Sequence, residues 1–166
     1  RGTIGRMSKD LIIGIDAGTS VIKSIAFDLG GRQIASAAVP NRYATGEGGA
    51  ATQPLGQTWD YCTRSLRQLG ERVPDMAGRV VAVAVTGQGD GTWLVDQDAK
   101  PVGDAWLWLD ARAGSKAEAL RKHPSDIARF KRTGTGLNAC QQGTQLAYMM
   151  THFPEQINQA ETAFHC

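Results

Sequence analysis

LIIGIDAGTSVIKSIAFDL, residues 11–29, is two apolar runs joined by a polar turn. Residues 11–15 and 21–27 are rich in Ile and short enough to be strands, and Gly18 supplies the backbone freedom that a tight turn needs. The stretch predicts a β-hairpin whose turn, Asp16-Ala17-Gly18-Thr19-Ser20, offers a carboxylate, two hydroxyls and backbone N–H groups. A nest of N–H groups attracts anionic oxygens, and a carboxylate recruits a metal directly or through water. A phosphate with its Mg²⁺ is therefore one occupant of such a turn. An ordinary hairpin with a polar tip is the other reading, because a short D-x-G-T motif matches often by chance.

Working outward, Gly30-Gly31 makes a second turn into residues 33–39, so three sequential antiparallel strands are expected. Residues 44–51, ATGEGGAA, are small and glycine-rich and predict a mobile surface loop. Pro54 suits the first turn of a helix. From there Leu55, Trp59, Cys62, Leu66, Leu69 and Val73 recur at spacings of three and four. They predict an amphipathic helix ending near residues 72–74, with this stripe, Trp59 included, in the core.

RVVAVAV, residues 79–85, is a near-continuous β-branched run, which predicts a strand buried on both faces. It stops at Thr86-Gly87-Gln88-Gly89-Asp90-Gly91, and residues 92–96 read as the next strand. Functional groups of open α/β sheets gather beyond strand ends, which makes this turn a site candidate, though its glycines alone could mean only a sharp turn. PVGDAWLWLDAR, residues 101–112, has Trp106 and Trp108 on alternate positions, so at least one is expected in the core. An Asp110–Arg112 ion pair would be structural by default. Short helices are expected over residues 113–122 and 125–132. After the loop at residues 134–144, Leu146, Met149, Met150 and Phe153 mark a further helix stopped by Pro154.

The 166 residues are enough for a substantial core, and 42% apolar with 20% charged residues is ordinary for a soluble globular chain. A net charge of +2 from well-mixed acids and bases makes no electrostatic case for nucleic acid. No apolar run reaches membrane-spanning length, so a membrane is not expected as a partner. Cys62, Cys140 and Cys166 are widely spaced and odd in number, which reads as reduced thiols in a cytoplasmic protein. Residues 1–6 precede Met7 and are read as upstream or appended residues.

D-A-G-T-S followed by Lys23 and by Phe27-Asp28 resembles the first phosphate motif of the FGGY carbohydrate kinases, and the resemblance continues along nearly the whole chain. These kinases belong to the actin/hexokinase/Hsp70-like superfamily with ribonuclease H-like folds. The resemblance implies an α/β architecture with a mixed sheet and helices. Residues 7–166 would be the first half of the family's N-terminal domain, an incomplete first domain with the second domain absent. It also implies ATP and Mg²⁺, with Asp16 at the metal and Gly18, Thr19, Ser20 and Lys23 around the phosphates.

For the acceptor the resemblance points to Gln88, which matches the family's acceptor-contacting glutamine, and to Asp90 beside it. Trp108 comes from a W-x-D-x-R signature, in which Asp110 and Arg112 organise the backbone. Gln141 lies just ahead of the last helix, where several members place an acceptor contact. Gly89 departs from the larger side chain of several branches, which leaves the acceptor open. The implied reaction transfers the ATP γ-phosphoryl to a hydroxyl of a small-molecule sugar or polyol. The run VTGQGDGTWLVD to GTGLNACQQG is similar to the polyol branch, with erythritol or a similar polyol as acceptor and a pentulose or glycerol as competitors. No catalytic residue is expected within the chain, since the family's base lies beyond the position of Cys166. A face that meets the rest of the kinase would then be exposed, predicting association or instability, with a homodimer as one form that association could take. A non-catalytic nucleotide- or partner-binding module of the same fold is the reading from another class.

Overall fold

The computed structural model describes residues 9–166. The reading of residues 1–6 as an upstream segment falls outside them. In chain order the first strands are β1 (Leu11–Ala17), β2 (Val21–Asp28), β3 (Gln33–Pro40), β4 (Ala44–Thr45) and β5 (Ala51–Gln53). Helices α1 (Leu55–Gly70) and α2 (Met76–Arg79) follow, then β6 (Val80–Gly87), β7 (Trp93–Val95) and β8 (Ala105–Trp106). The remainder is α3 (Gly114–Arg121), α4 (Asp126–Thr133), α5 (Gln142–His152), α6 (Pro154–Gln159) and β9 (Thr162–Phe164). Two compact units share these elements: residues up to Arg42 with Gln57–Gly87, and Tyr43–Gly56 with Gln88–Cys166. Among the described residues no helix is long and apolar enough to cross a membrane.

The first unit is built on a four-stranded sheet in the order β3-β2-β1-β6. The two hairpins are antiparallel and β6 runs parallel to β1, so the sheet is mixed, as expected. Alternate residues of β1 and β2, among them Leu11, Ile13 and Ala26, are buried against Leu69 and Val73. On the same face the Ser24 and Ser65 hydroxyls meet at 2.7 Å, fully buried. At the sheet's lower end the Arg79 guanidinium donates twice to the Asp10 carboxylate, at 3.0 and 2.9 Å. This pair ties the starts of β1 and β6 together.

Two expectations fail here. Trp59 is 71% exposed, because the buried row of α1 runs through Thr58, Ser65 and Leu69. Beside Leu69 the helix buries two small polar side chains, Thr58 and Ser65, which an apolar periodicity cannot reveal. β6 is not buried on both faces either. Val81, Val83 and Val85 are exposed, and β6, at the edge of this sheet, pairs on one side only. A β-branched run shows that a strand tolerates burial, not that its own chain supplies the cover.

The second unit has two small antiparallel sheets, β4-β5-β8 and β7-β9, with α3 to α6. One cluster holds Ala51, Leu55, Trp93, Ala105 and Leu107, and another holds Leu94, Val102, Trp106 and Met149. The glycine-rich segment expected to be a loop is instead the β4–β5 hairpin. Its 3-10 turn, Glu47–Gly49, has Gly49 at φ +83°, and a Cβ there would sit 2.9 Å from that of Ala111. The glycines answer to tight geometry. Pro154 ends α5 by opening α6 at its first position, where its missing N–H costs nothing.

Candidate functional site

The candidate residues form two groups, one in each unit. In the first unit the β1–β2 turn presents Asp16, Gly18, Thr19 and Ser20. Asp16 stands opposite Lys23 on β2 and opposite Thr86 on β6, so these three share a sheet face. Beneath them lies a cleft of about 230 Å³ lined by Gly14, Ile15, Ile25, Ala84 and Val85 together with Asp16 and Thr86. Gly18 is required by close approach: a Cβ would come within 2.6 Å of the Val21 carbonyl oxygen and 3.7 Å of Asp16 Oδ1. Among the described residues none donates a hydrogen bond to the Asp16 carboxylate. A carboxylate left uncommitted beside a lysine and two hydroxyls suits a cation shared with phosphate oxygens. Mg²⁺ needs little more from a protein, since one or two carboxylates and the phosphates usually hold it. The described residues contain no cluster of three acidic, His or Cys groups, so an all-protein metal cage is not what they form.

In the second unit the chain leaves β6 through Gln88-Gly89-Asp90-Gly91. Gln88 is buried, and its side-chain amide donates to Gln53 Oε1 at 3.4 Å. Asp90 is exposed at φ +57°, a left-handed conformation that Asp tolerates better than most residues. Gly91 follows at φ +81°, and a Cβ there would be 2.5 Å from the Trp106 carbonyl oxygen. The turn is thus held rigidly while its carboxylate faces outward. Nothing lies within 4 Å of a Cβ built on Gly89, so a larger side chain would fit at that position.

Trp106 is in the core and Trp108 is 47% exposed, so the two tryptophans divide as their alternation implies. The buried Asp110 carboxylate accepts the N–H groups of Ala51 and Arg112, at 2.9 and 3.0 Å. It organises local backbone and cannot reach a ligand. Gln141 turns back on its own loop: its Oε1 accepts the Asn138 N–H at 3.1 Å and its Nε2 donates to Thr135 Oγ1. The residue of that loop that meets Asp90 is Cys140, whose thiol lies 3.6 Å from Asp90 Oδ2. Burial, and then the Asp90 carboxylate, push the Cys140 thiol above its ordinary pKa.

Residues 11–166 match the FGGY family of carbohydrate kinases, N-terminal domain. The chain belongs to that family. It is 61% identical over 161 residues to an erythritol kinase of Brucella abortus, covering 97% of the chain and 31% of that protein. To a glycerol kinase of Alcanivorax borkumensis it is 28% identical over 151 residues, covering 90% and 30%. The chain therefore spans about a third of the length of these relatives. Among solved structures, a xylulose kinase from Rhodospirillum rubrum matches with a TM-score of 0.86 at 24% identity, over 92% of the chain and 32% of that protein. A gluconate kinase from Lactobacillus acidophilus matches at 0.85 and 19%, over 93% and 31%. These likenesses establish the fold as that of FGGY kinases, the fold class that the resemblance implied.

Several supports of this FGGY chain escaped the sequence reading. Asn41 is buried; its Nδ2 donates to the Gly18 carbonyl at 3.0 Å and its N–H to the Ser20 carbonyl at 2.8 Å. Gln57 in turn donates to Asn41 Oδ1 at 2.9 Å. These residues set the shape of the β1–β2 turn from more than twenty positions away. Gln53 and Gln145 do the same for the second turn, Gln145 accepting from Thr92 Oγ1 at 2.7 Å and donating to the Leu107 carbonyl. Lone buried amides have no periodicity, so only fully buried polar side chains in the folded chain could reveal them.

Proposed function

We propose that this chain is the N-terminal part of an ATP-dependent polyol kinase that transfers the γ-phosphoryl group to a hydroxyl of erythritol or a similar small polyol. The high identity to a protein named erythritol kinase carries the acceptor class. The exposed Asp90 carboxylate, on a turn that also holds Gln88, supports it chemically, since a carboxylate accepts hydrogen bonds from two neighbouring hydroxyls. Residues 7–166 would be the first half of the N-terminal domain of the complete enzyme.

Phosphoryl transfer depends mostly on positioning and on neutralising charge. In this reading Asp16 holds Mg²⁺, while Gly18, Thr19, Ser20 and Lys23 cradle phosphate oxygens. Mg²⁺, when bound, offsets the charge that builds on the transferring phosphoryl. Gln88 and Asp90 orient the polyol by its hydroxyls, and the exposed Trp108 packs its ring on C–H groups. Gln141, committed to its own loop, would reach the acceptor only after rearranging. The base that takes the hydroxyl proton is assigned to the polypeptide beyond Cys166. The protein is read as cytoplasmic, without nucleic acid or membrane as partner, and as self-associating through the exposed β6 valines.

The deciding experiment measures ADP release by the reading frame continued past residue 166, supplied with ATP, Mg²⁺ and a panel of polyols and ketoses. Release that depends on erythritol or a related polyol is the expected result. Release with a pentulose or glycerol instead would reassign the acceptor. ATP binding without turnover on any acceptor would favour a non-catalytic module of the same fold.

A further inference from the structure

We propose that Cys140 is a positioning residue for the Asp90 carboxylate, a role that deepens, and rests on, the reading of Asp90 as an acceptor contact. Two bonds join segments fifty residues apart. The Cys140 thiol donates to Asp90 Oδ2 at 3.6 Å, and the Gly91 N–H donates to the Cys140 carbonyl at 2.8 Å. A thiol is a weak donor, but the acceptor here is charged and the geometry is already enforced. Asp90 and Gly91 both have positive φ, and Gly91 is pressed against the Trp106 carbonyl. The backbone of the turn therefore has little freedom, and what remains to be set is the direction of the carboxylate. Cys140 occupies one oxygen, Oδ2, and leaves Oδ1 to accept from a ligand hydroxyl.

Through this contact the loop ahead of α5 reaches Asp90 although Gln141 bonds within its own loop. The loop runs directly into α5, whose Gln145 accepts from Thr92 Oγ1, so the thiol sits just ahead of an anchored helix. A polyol that bonds to Asp90 meets a carboxylate already oriented, which lowers the ordering cost of binding. Replacing the thiol frees the carboxylate to rotate and weakens acceptor binding, with no reason for ATP binding to change.

The test has two arms. On this chain, alkylation of Cys140 by iodoacetamide is followed at its own peptide by mass spectrometry, in wild type and in Asp90→Asn. Removing the neighbouring negative charge favours the thiolate, so Cys140 should react several-fold faster in Asp90→Asn. Cys62 is shifted by burial alone, so its rate should not move. An unchanged Cys140 rate, or an equal rise at Cys62, overturns the contact. In the continued reading frame, Cys140→Ala should raise KM for the polyol several-fold and leave KM for ATP unchanged, with partial restoration in Cys140→Ser. Equal effects on both substrates, or Ser no better than Ala, overturn the positioning role. A full alkylation response with no polyol phosphorylated at all would keep the contact and overturn the acceptor role, which separates this failure from that of the contact.

Discussion

The Arg112 guanidinium lies 3.4 Å over the Trp106 ring while holding the buried Asp110 carboxylate with Nη2 at 2.5 Å and Nε at 3.0 Å. Asp110 passes this hold to the Ala51 N–H, so the 107–112 segment and the start of β5 are locked together. An ion pair that would be worth little in water is here mostly sheltered, its carboxylate fully so.

Arg112→Ala should therefore destabilise the fold by about 3 kcal/mol, the low end of what breaking a buried pair costs. Arg112→Lys should recover little, because an ammonium has neither the planar fork nor the flat face that Trp106 receives. Urea unfolding midpoints of the three proteins check this. Equal midpoints for Lys and Arg would show that charge alone matters.

Ser24 and Ser65 make a second buried tie whose cost is asymmetric. Ser65 also donates to the Cys62 carbonyl at 2.9 Å, so Ser24 must be the donor to Ser65. Ser65→Ala strands the Ser24 hydroxyl against the sheet and should cost about 1–3 kcal/mol. Adding Ser24→Ala to it removes the stranded group and should return part of that loss. A double-mutant cycle by denaturation measures the difference, and strict additivity would show that the two hydroxyls act independently.

Asp16→Asn should abolish Mg²⁺-dependent turnover in the continued reading frame while circular dichroism of the chain stays unchanged, since among the described residues nothing depends on that carboxylate for a hydrogen bond. Asp90→Ala is its counterpart and should raise KM for the acceptor far more than for ATP. Near-normal turnover in Asp16→Asn would remove its metal role.

Acid should weaken the Asp10–Arg79 clamp. The Arg79 guanidinium hydrogen-bonded to Asp10 holds its carboxyl below the ordinary carboxylate value. A folded-state pKa below the unfolded one stabilises at pH above the unfolded value and is lost as pH falls through the folded one. Wild type should thus exceed Asp10→Asn in Tm at neutral pH, and the gap should close in acid. A gap that persists below the carboxylate range would assign the effect to packing.

The sequence by itself determined the elements whose signals are local. The Ile-rich runs around Asp16–Ser20, the Gly30-Gly31 turn, the helix after Pro54 and the helix before Pro154 all appear where periodicity and turn chemistry put them. The two candidate turns were legible because a polar glycine-containing break after an apolar run is itself a signal. Tertiary structure decided what depends on partners distant in sequence. It exposed Trp59 and the valines of β6, because burial depends on what lies opposite, and an edge strand has a neighbour on one side only. It also chose Cys140 over Gln141 as the neighbour of Asp90 and recruited Asn41 to shape the first turn. Hydrogen bonds of single side chains across twenty to fifty residues leave no periodic trace, so only the folded chain brings their two ends together.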